Sequence, residues 1–63
     1  MSDNVRIRNN VGRVDCSWTV QPGDERAIEQ AFRLLADYQS EEPESGWYLE
    51  TRGDVAGWHH WER

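Results

Sequence analysis

RVDCSWTVQPGDERAIEQAFRLLADYQ, residues 13–39, is the stretch that decides the architecture. Val14, Cys16, Trp18 and Val20 fall on one side of an extended chain, with Arg13, Asp15, Ser17 and Thr19 on the other. That two-residue period belongs to a half-buried strand. Pro22 stops the strand, and Asp24 supplies a side chain that can cap the first free N–H groups of a helix. Ala27, Ile28, Ala31, Phe32, Leu34, Leu35 and Tyr38 then recur at three- and four-residue spacing, opposite Arg26, Glu29, Gln30, Arg33 and Asp37. The pattern predicts a helix over residues 24–39, with one apolar stripe and a favourable Glu29–Arg33 pair on its outer face.

Working outward toward the N-terminus, Val5-Arg6-Ile7-Arg8 alternates apolar and charged residues, and Asn9-Asn10-Val11-Gly12 suits a tight reversal. Residues 4–20 therefore read as a β-hairpin. Toward the C-terminus, residues 40–46 carry Glu41, Glu42 and Glu44 with Pro43 and Gly46, an exposed connector. Its carboxylates lie beside the negative end of the helix dipole, where anions are mildly unfavourable. Trp47, Leu49 and Thr51 alternate with Tyr48, Glu50 and Arg52 as a third strand, and residues 53–57 form a glycine-bracketed turn. Residues 58–62 return as a fourth strand, the alternative being a helical turn built on Val55, Trp58 and Trp61. The order ββαββ gives an α+β fold, a four-stranded sheet with one helix on one face. A β-grasp-like strand order 2-1-4-3 is favoured and 2-1-3-4 competes. The expected core is Val5, Ile7, Val14, Cys16, Trp18, Val20, Ile28, Ala31, Phe32, Leu35, Trp47, Leu49 and one of Trp58 or Trp61.

Sixty-three residues suffice for one small domain, residues 1–63, with a net stability of a few kcal/mol. The net charge of −5 is segregated: residues 21–45 hold seven acids against Arg26 and Arg33. Every basic residue is arginine, which excludes Schiff-base or P-loop lysine chemistry. The longest apolar run, Leu34-Leu35-Ala36, is far below the ~20 residues of a membrane span. Met1-Ser2-Asp3-Asn4 lacks the character of a secretory signal, and Cys16 has no second cysteine to pair with, so a cytoplasmic setting is the default expectation.

Few residues invite chemistry. Cys16, between Val14 and Trp18, reads as a small core hydrophobe rather than a nucleophile. His59 and His60 would point to opposite faces of a strand and cannot share an ion, so no metal site is expected. Arg52-Gly53-Asp54 matches a cell-adhesion tripeptide, but glycine–aspartate is ordinary turn chemistry. No nucleophile–base set, carboxylate pair or phosphate-cradling loop is present, and neither an enzyme nor a cofactor is expected.

Two surfaces remain. Arg6, Arg8, Arg13 and Arg52, with Tyr48, share the sheet face turned from the helix, the composition of a single-strand nucleic-acid platform. Asp15 and Glu50 on that face, and the negative net charge, favour cross-strand pairing of those arginines instead. The acids of the helix and connector suit a basic protein partner, steered by charge. The leading expectation is a small interaction module that inhibits or regulates a nucleic-acid-handling partner. Asp37, Glu41, Glu42 and Glu44 would meet its basic groups, and Tyr48 or Trp61 would anchor the contact. Small acidic anti-CRISPR and anti-restriction proteins of phages and mobile elements are similar in size and charge. The alternatives are a nucleic-acid-binding module using the arginine face, and a homodimer formed through an edge strand or the Trp58–Trp61 hairpin.

Overall fold

Asp24 opens the helix as its sequence position demands. In the computed structural model, which describes residues 3–53 and 57–62, its carboxylate accepts from the Ala27 N–H at 3.2 Å. The helix α1 runs Glu25–Glu41, two residues beyond the expected end, and the Glu42 N–H closes it on the Tyr38 carbonyl. Ahead of it lie β1 (Val5–Arg8) and β2 (Val14–Trp18). After it come a single 3-10 turn (Pro43–Ser45), β3 (Tyr48–Thr51) and β4 (His59–His60). The two-residue β4 is a strand rather than a helical turn; of the turn before it, residues 54–56 lie outside the described residues.

The sheet is antiparallel throughout, in the order β2-β1-β3-β4. The favoured 2-1-4-3 order is therefore corrected to its competitor. Strand length gives the reason. The place beside β1 must pair along both edges and bury one face, which β3 does over four residues with Leu49 fully buried. A two-residue β4 can only close an edge. Helix α1 thus carries the chain from β2 over β1 to β3, connecting two parallel but non-adjacent strands.

Beneath α1 lies a core of Val5, Ile7, Val20, Ala31, Trp47 and Leu49. Cys16, Trp18, Ala27, Ile28, Phe32, Leu35, Tyr38 and Trp61 pack around it, half-buried. Of the two late tryptophans Trp61 is the inward one, tilted against Phe32 with ring centroids 4.8 Å apart. Val14 is the exception among the expected core residues, 40% exposed. Ile7 faces Cys16 but Arg8 faces Val14, so a β-bulge inserts Asp15 as an extra residue. The bulge breaks the alternation, sets Val14 opposite Arg8 and frees Asp15 to accept a hydrogen bond from the Tyr38 hydroxyl.

Two asparagines act as pieces of backbone. The Asn4 side chain donates to the Val20 carbonyl and accepts from the Val20 N–H, both at 2.8 Å. Asn9 is buried in the hairpin turn, where its side-chain Oδ1 accepts from the N–H groups of Val11 and Arg13. The connector is tied to that turn by the Asn10 N–H donating to the Ser45 carbonyl at 2.9 Å. Gly46 makes this approach feasible: its φ is +65°, and a Cβ there would lie 3.1 Å from the Asn10 Cβ.

Ile7 and Leu49 face each other fully buried, whereas Leu34 is 37% exposed. In urea unfolding, Ile7→Val should cost about 0.5–1.5 kcal/mol and Leu49→Ala about 2–5 kcal/mol. Leu34→Ala should stay within about 0.5 kcal/mol of wild type.

Candidate functional site

The alternation of β1 and β3 places Arg6, Arg8, Tyr48 and Glu50 on the sheet face turned away from α1. Arg6 stands directly opposite Glu50 and Arg8 opposite Tyr48. Glu50 is buried there, its side chain 9% exposed, on the nominally open side of the sheet. Arg6 Nε donates to Glu50 Oε1 at 2.7 Å, and Arg8 Nη1 lies 3.6 Å from the same oxygen. Trp58 forms the roof. The Arg6 guanidinium carbon sits 4.2 Å from its ring centroid and that of Arg52 5.1 Å, two cation–π contacts on one indole. Arg52 also donates from Nε to the Asp3 carbonyl at 3.0 Å. Tyr48 meets His60 edge-on at 5.3 Å. Of the expected nucleic-acid residues, Arg6, Arg8 and Arg52 are thus brought together around an internal carboxylate and an aromatic ring. Arg13 stays apart, exposed, 4.0 Å from Asp15.

The acidic residues have a different setting. Asp37 and Glu41 lie one turn apart near the end of α1, with Glu42 capping it and Glu44 in the 3-10 turn. Glu42 accepts from Trp47 Nε1 at 3.3 Å. Trp47 in turn packs edge-on against Tyr38, and its carbonyl accepts from Gln39 Nε2. None of Asp37, Glu41, Glu42 and Glu44 forms an ion pair among the described residues, and α1 has no basic residue in its last turn. Leu34, Asp37, Tyr38, Glu41 and Glu42 line an open depression of about 360 Å³, apolar at its floor and anionic along its rim.

Tyr38 connects this depression to the sheet. Its hydroxyl donates to Asp15 and lies 3.5 Å from Cys16 Sγ. The hydrogen bond to Asp15, then that to Cys16 and burial, hold the phenol well above its ordinary ionisation range.

The expected partner-binding set therefore divides in three. Asp37, Glu41, Glu42 and Glu44 cluster. Tyr48 lies on the opposite face of the sheet, beside the arginines. Trp61 is packed against Phe32 rather than displayed. Leu34 belongs with the acidic cluster, and Asp15 is joined to Tyr38 beside it by a hydrogen bond; neither stands out in the sequence. The signal for Leu34 lay in its adjacency to Leu35, since neighbours on a helix differ by ~100° and only one can face the core squarely. The role of Asp15 depends on the bulge, which local alternation does not announce.

Among the described residues, no group of three or more His, Cys, Asp or Glu side chains is placed to hold a metal ion, and no helix is long and apolar enough to cross a membrane. Comparison with protein-family models, with curated proteins and with solved structures finds no match.

Two outcomes follow from this geometry. Glu50→Ala removes the counter-charge of two partly exposed guanidinium groups and should cost about 1.5–3 kcal/mol in denaturant unfolding, whereas Arg13→Ala should fall within about 0.5 kcal/mol of wild type. The Tyr38 hydroxyl is held protonated in the folded state, so its contribution is complete below the unfolded phenol value near pH 10 and is lost as pH rises further. Tyr38→Phe should remove that share of the alkaline loss of stability, along with the late step in an ultraviolet phenolate titration.

Proposed function

We propose that this chain is a non-catalytic interaction module whose acidic helix end binds a basic surface on a nucleic-acid-handling protein and blocks or regulates it. The observation that carries the reading is the depression beside Leu34, an exposed apolar floor rimmed by carboxylates that have no described arginine partner. An apolar centre with a charged rim is the ordinary anatomy of a protein-binding patch. Apart from the bond that Glu42 accepts from Trp47, folding gives no reason for the charge. Three acids around a helix C-terminus oppose the dipole, and a cationic partner would relieve that repulsion. The inhibitor would compete with nucleic acid for the partner's arginine and lysine groups, as anti-CRISPR and anti-restriction proteins of similar size and charge do.

The nucleic-acid-binding alternative has less in its favour. A phosphate would compete with Glu50 for Arg6 and Arg8, and a base would have to displace a guanidinium to stack on Trp58.

Immobilised wild type and the Asp37→Lys/Glu41→Lys/Glu44→Lys variant can be presented with purified, DNA-free CRISPR effectors and restriction enzymes. Wild type should retain at least one of them, heparin should displace it, and the variant should associate at least about tenfold more slowly with a flatter salt dependence. Equal retention by both forms, or no retention of any enzyme, would remove the proposal.

A further inference from the structure

The two edges of the sheet are unequal. At one, β4 is two residues long; at the other, β2 runs five residues, with Val14, Asp15 and Ser17 exposed and Cys16 and Trp18 half-buried. The bulge at Asp15 blunts the Val14 end of β2, which leaves the stretch around Ser17. The Arg52 N–H donates to the Asn4 carbonyl, so even-numbered residues of β1 turn their main-chain groups toward β3 and odd-numbered ones toward β2. Ile7 and Val5 therefore engage Cys16 and Trp18, their register partners, and Ser17 between them turns its N–H and C=O to the open side.

Alongside this edge runs a trough. A second open depression of about 340 Å³, bordered by Trp18, Thr19 and Ala27, meets the acidic one at Leu34, which lines both. From Ala27 to Glu41 the helix rises about 21 Å, the length of six or seven residues of extended chain. The trough is graded in character. Trp18, Ala27, Ala31 and Leu34 make the half at the end of β2 mainly apolar, while Asp37, Glu41 and Glu42 make the other half anionic; Tyr38, which lines that half, donates its hydroxyl to Asp15 at the start of β2.

We infer that the β2 edge and this trough form one docking track for an extended, basic segment of a partner protein, added to the sheet antiparallel to β2. The inference rests on the function proposed above and specifies how that surface is used. Main-chain bonds at Ser17 would supply register-fixed affinity, and inward-pointing side chains would supply selectivity. Antiparallel to β2, the segment enters over Trp18 and leaves past Asp15. Its first inward residues are therefore apolar and its later ones arginine or lysine, complementary to the two halves of the trough.

The test uses the end-blocked peptide Val-Thr-Val-Thr-Arg-Val-Arg-Thr and the same peptide with proline at its fourth position, added to the isotopically labelled full chain. With the first peptide the Ser17 amide signal should shift and its hydrogen exchange should slow. Affinity should fall at least about tenfold for the proline peptide and for the first peptide on Ser17→Pro, which removes the outward N–H. The peptide comparison on wild type stands even where Ser17→Pro does not fold. Equal binding of both peptides, with shifts confined to residues 37–42, overturns strand addition and leaves the acidic-surface reading intact. No shift with peptide at about 1 mM overturns both. Ser17 shifts that depend on protein concentration without peptide assign the edge to a second copy of the chain and also overturn the inference.

Discussion

A single buried carboxylate organises this molecule. Glu50 sits on the sheet face that has no helix above it, yet it is enclosed: Arg6 and Arg8 reach its carboxylate, and Trp58 packs on the Arg6 guanidinium. A charge so placed is costly unless it is paired, and the pairing in turn fixes geometry. Arg6 must stand opposite Glu50, which locks the register of β1 on β3 and brings Ile7 against Leu49 on the other face. The polar and apolar pairs are two sides of one alignment. A one-residue slip would place the guanidinium in the core and an aliphatic chain in the ion pair.

This arrangement also decides what the surface can offer. The chain has seven arginines and no lysine, and three of those arginines gather around Glu50 and Trp58. Arg33 pairs with Glu29 within the helix, and Arg13 lies near Asp15. None of these reaches Asp37, Glu41, Glu42 or Glu44. The acidity of the helix end is thus a consequence of where the cations are used, and it persists against an unfavourable dipole. Leu34 and Tyr38 lie within the same surface, so the charge borders an apolar floor rather than plain solvent. The electrostatic and hydrophobic parts of a binding patch coincide there, next to the longer open edge of the sheet.

Much of the architecture was legible locally. Asp24, the three- and four-residue spacing of Ala27 through Tyr38, and the alternation of residues 5–8 and 47–52 each specify an element through near neighbours. Strand order was not legible, because alternation states that a strand has an inner face without naming the strand beside it. Only the pairing of Arg6 with Glu50, and the shortness of β4, separates the two orders. Val14 was misplaced for a related reason. The extra residue at Asp15 is held by Tyr38, 23 positions along the chain, and no window of local sequence contains both. Trp58 and Trp61 were known to face opposite ways, but which one reached the core depended on Phe32 and on two guanidiniums arriving from other strands. On the acidic surface, Asp37, Glu41, Glu42 and Glu44 were visible as a charge run, while Leu34 joined them only through packing.

The account turns on the carboxylates of Asp37, Glu41 and Glu44 having no structural duty. Their reversal should then relieve repulsion from the dipole rather than break contacts. The most direct measurement is the unfolding free energy of the Asp37→Lys/Glu41→Lys/Glu44→Lys protein in denaturant at low salt. A gain of about 0.3–1 kcal/mol that shrinks as salt is added is the predicted result. A loss of more than about 1 kcal/mol would mean that those acids hold the fold together, and would contradict the account.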